Sequence, residues 1–99
     1  MSPTQHSAHR CHAEGCSTPV APRFLMCRPH WAMVHPSIKR GIQRTYRAGQ
    51  EVDKRPSAAY MVQHHRAVMW VALQEGLRTE EECKDHMARM RCLYAREAA

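Results

Sequence analysis

Cys11-His12-Ala13-Glu14-Gly15-Cys16 and Met26-Cys27-Arg28-Pro29-His30-Trp31 decide how this chain is to be read. Together they spell C-x4-C, a ten-residue arm and C-x2-H: thiol and imidazole donors in two close pairs. Zinc takes thiolate and imidazole tetrahedrally, and two ligand pairs from separate segments are the usual way to supply such a site. Gly15 lets the backbone turn tightly before Cys16. Cys27 and His30 are three apart, so on a helical turn both project from one face. Pro29 suits the first turn of that helix, where a missing N–H costs nothing. The spacing therefore predicts one structural zinc per chain, held by Cys11, Cys16, Cys27 and His30. Disulfides are the bland alternative, but Cys11, Cys16 and Cys27 cannot pair among themselves without an orphan, and the chain holds five cysteines. His6, His9 and His12 compete with His30 for the fourth place. His12 is the nearest, although in an extended chain it points away from a ligand at Cys11.

Working outward, the flanks of this motif are thin in core-forming residues. A chain of 99 residues buries a modest share of its surface and gains from a staple. A structural zinc contributes on the order of 10 kcal/mol, comparable with the net stability of a whole domain. Residues 1–10 are polar and are expected to be a disordered tail. In 17–25 two prolines interrupt an irregular or short β arm. Its apolar end, Phe24, Leu25 and Met26, is expected to pack under the metal, and Trp31 to shield the site.

Downstream the pattern is helical. His35-Pro36-Ser37 starts a helix on which Ile38, Ile42 and Tyr46 form an apolar stripe. Arg40, Arg44 and Arg47 occupy another face, and Gly49 is placed as a left-handed cap. Residues 50–56 read as a polar linker carrying Lys54 and Arg55. Ser57 is a plausible N-cap for a long helix closed by Gly76. Its apolar side gathers Met61, Val62, Val68, Met69, Ala72 and Leu73, with Trp70 on the far side in need of a second partner. Thr79 and Glu82 form a capping box for the last helix, whose stripe is Cys83, Met87, Met90 and Tyr94. Ala88, Cys92 and Ala95 make a small-residue strip. That strip, or Trp70, offers an interface for a homodimer. Cys83 and His86 repeat the C-x2-H spacing and could be joined by His64 or His65, but packing is the simpler account of an apolar, Met-rich face.

The expected fold is mainly α: a small N-terminal zinc-binding knuckle (11–50, with a basic helix), then a C-terminal antiparallel helical hairpin (57–96), all in one domain. Net charge is +6. Residues 1–56 hold nine Lys/Arg against three Asp/Glu, while 57–99 hold six of each. The positive excess thus lies wholly in the metal half, a field that attracts phosphates or acidic protein surfaces. Lys39, Arg40, Arg44, Arg47, Lys54 and Arg55 are the residues expected to meet a partner. No run of eighteen apolar residues exists, so no membrane span is expected. The first residues are no signal peptide, and an odd cysteine count without one favours a reducing cytoplasm. No Gly-rich phosphate loop, open metal position or activated nucleophile is evident, and no enzyme is predicted.

The C-x4-C…Met-Cys-x2-His-Trp pattern, with Tyr46-Arg47-Ala48-Gly49-Gln50 after it, resembles small zinc-finger-like proteins carried by bacteriophages and prophages. The likeness covers about residues 11–50. It implies a phage or mobile-element setting, hence a bacterial host cytoplasm, and a zinc module with the same four ligands. It implies no reaction; such phage products include DNA-binding regulators and inhibitors of host defence. Two expectations follow. One is a stoichiometric binder of a host protein or ribonucleoprotein complex, such as a CRISPR-type defence nuclease. The other is a salt-sensitive binder of DNA or RNA acting through the basic helix.

Overall fold

Pro29 and Pro36 each stand in the first turn of a helix, where their fixed φ is an advantage and their missing N–H is no loss. The computed structural model describes residues 9–98. Among these residues five helices follow in order: α1 Arg28–Met33, α2 Pro36–Thr45, α3 Gln50–Asp53, α4 Ala58–Gln74 and α5 Glu80–Ala98. Among the described residues there is no strand, only an isolated antiparallel bridge between Arg10 and Pro19. The chain is mainly helical, as expected, and none of these helices is long and apolar enough to cross a membrane.

Most of the disordered tail expected over 1–10 lies outside the described residues. His9 and Arg10 depart from that expectation. The Val20 N–H donates to the His9 carbonyl at 3.2 Å, and the Arg10 guanidinium to the Ser17 carbonyl at 2.9 Å. The arm folds back on them through these bonds and the bridge between Arg10 and Pro19.

Local chemistry sets the helix ends. His35 caps α2, its Nδ1 accepting from the Ser37 N–H at 3.0 Å. The Ser57 hydroxyl accepts from the Tyr60 N–H at 3.0 Å to cap α4. At the other end of α4 the Leu77 N–H reaches back to the Ala72 carbonyl at 2.8 Å, with Gly76 at φ +77°. That six-to-one closure is a Schellman stop. The capping box of α5 is reciprocal: Thr79 Oγ1 accepts from the Glu82 N–H at 3.1 Å, and Glu82 Oε1 from the Thr79 N–H at 2.8 Å. Residues 50–56 are not simply a linker. Gly49, at φ +86°, heads the one-turn helix α3 rather than closing α2, which already ends at Thr45. Gln50 is buried there, its Oε1 accepting from the Arg47 N–H at 2.9 Å.

One contiguous core runs from the metal-side lobe into the helices. Ala13, Leu25 and Met26 share one cluster with Val34, Ile38 and Ile42 and with Ala67 and Val71 of α4. Helix α4 is thus buried on two sides. Ala67 and Val71 face the lobe and α2, while Met69 meets α5 through the Cys83 thiol at its carbonyl. The expected apolar side of α4 included Met69 and Ala72 but not Ala67 or Val71, both wholly inaccessible. Phe24 also differs from expectation: it is 49% exposed, while Leu25 and Met26 are buried. The chain turns at 22–23 and bends at 25–26, with the Phe24 N–H bonded back to the Ala21 carbonyl, so Phe24 is left outside while the two residues after it turn inward. At Gly41 of α2 the Gln63 side chain of α4 packs close: a Cβ there would lie 2.5 Å from its amide oxygen, so a larger residue would require Gln63 to move.

Candidate metal centre

The first ligand pair sits on a tight turn. The Cys16 N–H donates to the Ala13 carbonyl at 3.0 Å, and Gly15 takes φ +80°, which only glycine adopts without strain. The Ala13 N–H points at Cys11 Sγ, 3.5 Å away, a contact that favours a thiolate. Backbone bonds tie this turn to the rest of the lobe: the Cys11 N–H to Thr18 and the His12 N–H to Leu25. The second pair rides on α1. Cys27 is its N-cap residue and His30 lies one turn on, so both side chains emerge from one face.

Cys11, Cys16, Cys27 and His30 come together, their donor atoms all within 4.8 Å of one another, and could hold a metal ion. His30 Nδ1 is 3.6 Å from Cys11 Sγ and 3.2 Å from Cys27 Sγ, and Cys16 Sγ is 4.0 Å from Cys27 Sγ. A tetrahedral ion with metal–sulfur bonds of about 2.3 Å and a metal–nitrogen bond of about 2.1 Å has S···S edges near ~3.8 Å and S···N edges near ~3.6 Å. The side chains therefore already stand close to the corners of such a polyhedron. His12 is not among them: its ring lies against His9 and His64 instead. Among the described residues no other group of three or more such donors converges.

The surroundings prepare the donors. The Thr18 hydroxyl and backbone amide stabilise the Cys16 thiolate and hold its pKa down at about 6. Burial pushes the Cys11 thiol up to about 11; a bound cation would reverse that preference, since a coordinating thiol is deprotonated outright. His30 has its other nitrogen occupied: Nε2 lies 2.9 Å from Glu75 Oε2. Burial opposes its protonation, but the hydrogen bonds to Glu75 and Cys27 outweigh it and raise the His30 pKa. With Nε2–H donating to the carboxylate, Nδ1 is left as the lone-pair nitrogen facing the three sulfurs. Such a carboxylate behind a ligating histidine fixes the tautomer and the ring orientation. Glu75 was not anticipated from the sequence; it stands 45 residues from His30. A second cross-link runs beside it, from Arg78 Nε to Glu14 Oε1 at 2.9 Å.

The other expected site residues are scattered. Arg40 and Arg44 are exposed on α2, and Lys54 and Arg55 follow α3, all without an ion pair among the described residues. Arg47 differs: its guanidinium holds Asp53 at 2.5 Å and the Arg55 carbonyl at 2.9 Å, a closure made possible by the α3 turn. Lys39 lies 5.4 Å above the Trp31 ring. Trp70 finds its second partner within the chain, donating Nε1–H to the Met33 carbonyl at 2.9 Å beside His35. Ala88, Cys92 and Ala95 are exposed on α5. His86 Nε2 does meet His65 Nδ1, at 3.0 Å, but Cys83 turns to the Met69 carbonyl instead of joining them. Comparison with protein-family models, with curated proteins and with solved structures finds no match for the chain.

Proposed function

We propose that this chain is a non-enzymatic, zinc-stabilised binding module that acts by occupying a protein partner in fixed stoichiometry. The observation that carries the reading is the four-donor centre. Three cysteine sulfurs and one imidazole, all within 4.8 Å of one another and with three separations of 3.2–4.0 Å, suit zinc among the common biological cations. All four corners are protein atoms, the arrangement of a structural site rather than of one that keeps a position for water. When bound, the ion would supply folding free energy to the lobe. Because that lobe shares its core with α2 and α4, the same free energy would hold the outer surface of 20–46 in one shape. Helices α4 and α5, meeting at Met69–Cys83 and His65–His86, are read as an antiparallel hairpin that braces the lobe.

A protein partner is favoured over a phosphate backbone because the expected basic set is partly engaged already. Arg47 is locked to Asp53 and Lys39 covers Trp31. A host protein or ribonucleoprotein complex as the target, including a defence nuclease of the CRISPR type, rests on the resemblance to phage zinc-finger-like proteins, as does a bacterial cytoplasm. The second reading, a DNA- or RNA-binding regulator, draws on the free cations Arg40, Arg44, Lys54 and Arg55. Four phosphate contacts would give a log–log salt slope of about −3.6 on duplex DNA.

Metal analysis of the purified protein, a tagged pull-down read by native mass spectrometry and gel shifts at two salt concentrations test this together. The expected result is one zinc per chain, one discrete protein partner at fixed stoichiometry and little retardation of naked DNA or RNA. Salt-sensitive shifts of unrelated sequences, abolished by Arg40→Glu with Arg44→Glu, would instead establish the second reading.

A further inference from the structure

A groove of about 830 Å³ opens between the arm and α2, on the outer side of the metal lobe. Leu25 and Met26 of the arm, Trp31 of α1, Ile42 of α2, Tyr46 just after it and Tyr60 of α4 wall it. Phe24 stands at its lip, half exposed, and Tyr46 is 39% exposed. Large aromatics left facing water around a concavity mark a surface that another molecule covers. The charges at the groove have one sign. Arg23 and Arg28 belong to its lining, no Asp or Glu does, and Lys39 lies over the adjoining Trp31. Beyond the lining, Glu51 accepts from the Tyr46 hydroxyl and lies within electrostatic reach of Arg23.

We propose that this groove receives an acidic segment of a protein partner that carries a large apolar side chain. The inference rests on the protein-binding reading above and names the surface and the chemistry of that partner. The apolar walls would take the side chain, and Arg23 and Arg28 of the lining would meet the flanking carboxylates. Tyr, Trp and Arg around a desolvated pocket are the composition in which binding energy concentrates, and the charge match sets the choice of partner. Single-stranded nucleic acid fits less well, although it too prefers aromatics and cations. Base stacking needs open ring faces. Here Arg23 lies 4.9 Å over the Phe24 ring, Lys39 covers Trp31, and Tyr46 meets Tyr60 edge to face at 6.4 Å. The groove is a socket, not a platform.

The test uses the zinc-loaded full chain and two labelled peptide sets. Both carry a helical stripe of Leu and Phe; one has Glu and the other Lys at the remaining positions. Fluorescence anisotropy should show the acidic set binding at least tenfold more tightly, with amide shifts confined to 20–31 and 42–46. Phe24→Ala should weaken it at least tenfold at unchanged zinc content and melting temperature. Arg23→Glu with Arg28→Glu should reverse the charge preference. Equal binding of both sets, no binding by either, or shifts mapping elsewhere would overturn the inference. So would displacement of the peptide by oligo-dT, or a groove-dependent dimer of the chain itself. If the pull-down partner binds the Arg23/Arg28 double variant unchanged, the groove assignment falls and the protein-binding reading stands. If only nucleic acid binds, both fall.

Discussion

Glu75→Ala should weaken metal binding at a carboxylate that touches no metal. Glu75 Oε2 accepts from His30 Nε2–H at 2.9 Å and so presents Nδ1 to Cys11, Cys16 and Cys27. Losing a partner behind a ligating histidine typically costs ten- to a hundredfold in metal affinity. The side chains of His30 and Glu75 are 16% and 31% exposed, so water can partly replace the lost acceptor. The lower end of the range therefore applies: about tenfold, or about 1.4 kcal/mol. Glu75→Gln should fall between wild type and Glu75→Ala, because its amide oxygen still accepts the hydrogen bond without the charge. Glu81→Gln makes the same change in net charge from an exposed position on α5 and should leave affinity unaltered. Competition with a chromophoric zinc chelator measures all three. If Glu75→Ala matched Glu81→Gln within twofold, the role given to Glu75 would be wrong. If it lost zinc altogether, Glu75 would have to be a ligand itself.

Further expectations concern the ligands, the core and the titrating groups. Cys16→Ser should unfold the metal lobe, seen as loss of amide protection across 11–31, whereas Cys92→Ser, at an exposed position, should not shift the melting temperature. Val71→Asp should cost roughly 4 kcal/mol or more, since the site is wholly inaccessible and would trap an unpaired charge. Met90→Asp on the half-buried side of α5 should cost clearly less in the same urea titration. Acid should weaken the fold through His64, whose pKa is lowered to about 3, first by burial and then by His12 and His65. Its folded pKa lies below the unfolded value, so its contribution is fully present above about pH 6.5 and is lost as pH falls toward 3. Between pH 7 and 5 that amounts to about 2 kcal/mol. His64→Gln, which leaves all four proposed ligands in place, should flatten this slope; an unchanged slope would contradict the assignment.

What could be read from the sequence was what is local in it. The ligand pairs sit five and three residues apart, so their spacing carries their geometry. The same holds for Ser57, Thr79 with Glu82, and Gly76, whose capping bonds close within a few residues. Contacts that close over long separations were not legible. Glu75 reaches His30 across 45 residues and Arg78 reaches Glu14 across 64. Nothing in the neighbourhood of an exposed-looking glutamate at a helix end announces a distant imidazole. Helix α4 defeated periodicity for another reason. Its second half, residues 67–73, is an unbroken apolar run with no polar residue to mark a face, so Met69 and Ala72 could be assigned to a buried side while Ala67 and Val71 were overlooked. Arg47 was taken for a free cation because the turn that delivers Asp53 to it depends on α3, four residues long and without a helical pattern of its own.

X-ray absorption at the zinc edge of the purified protein tests the central claim most directly. Three sulfur neighbours at about 2.3 Å and one nitrogen at about 2.0–2.1 Å are the expected shell, with one sulfur replaced by a lighter neighbour in any Cys16→Ser protein that retains metal. A shell of nitrogen and oxygen alone, or folded protein with no zinc to measure, would contradict it.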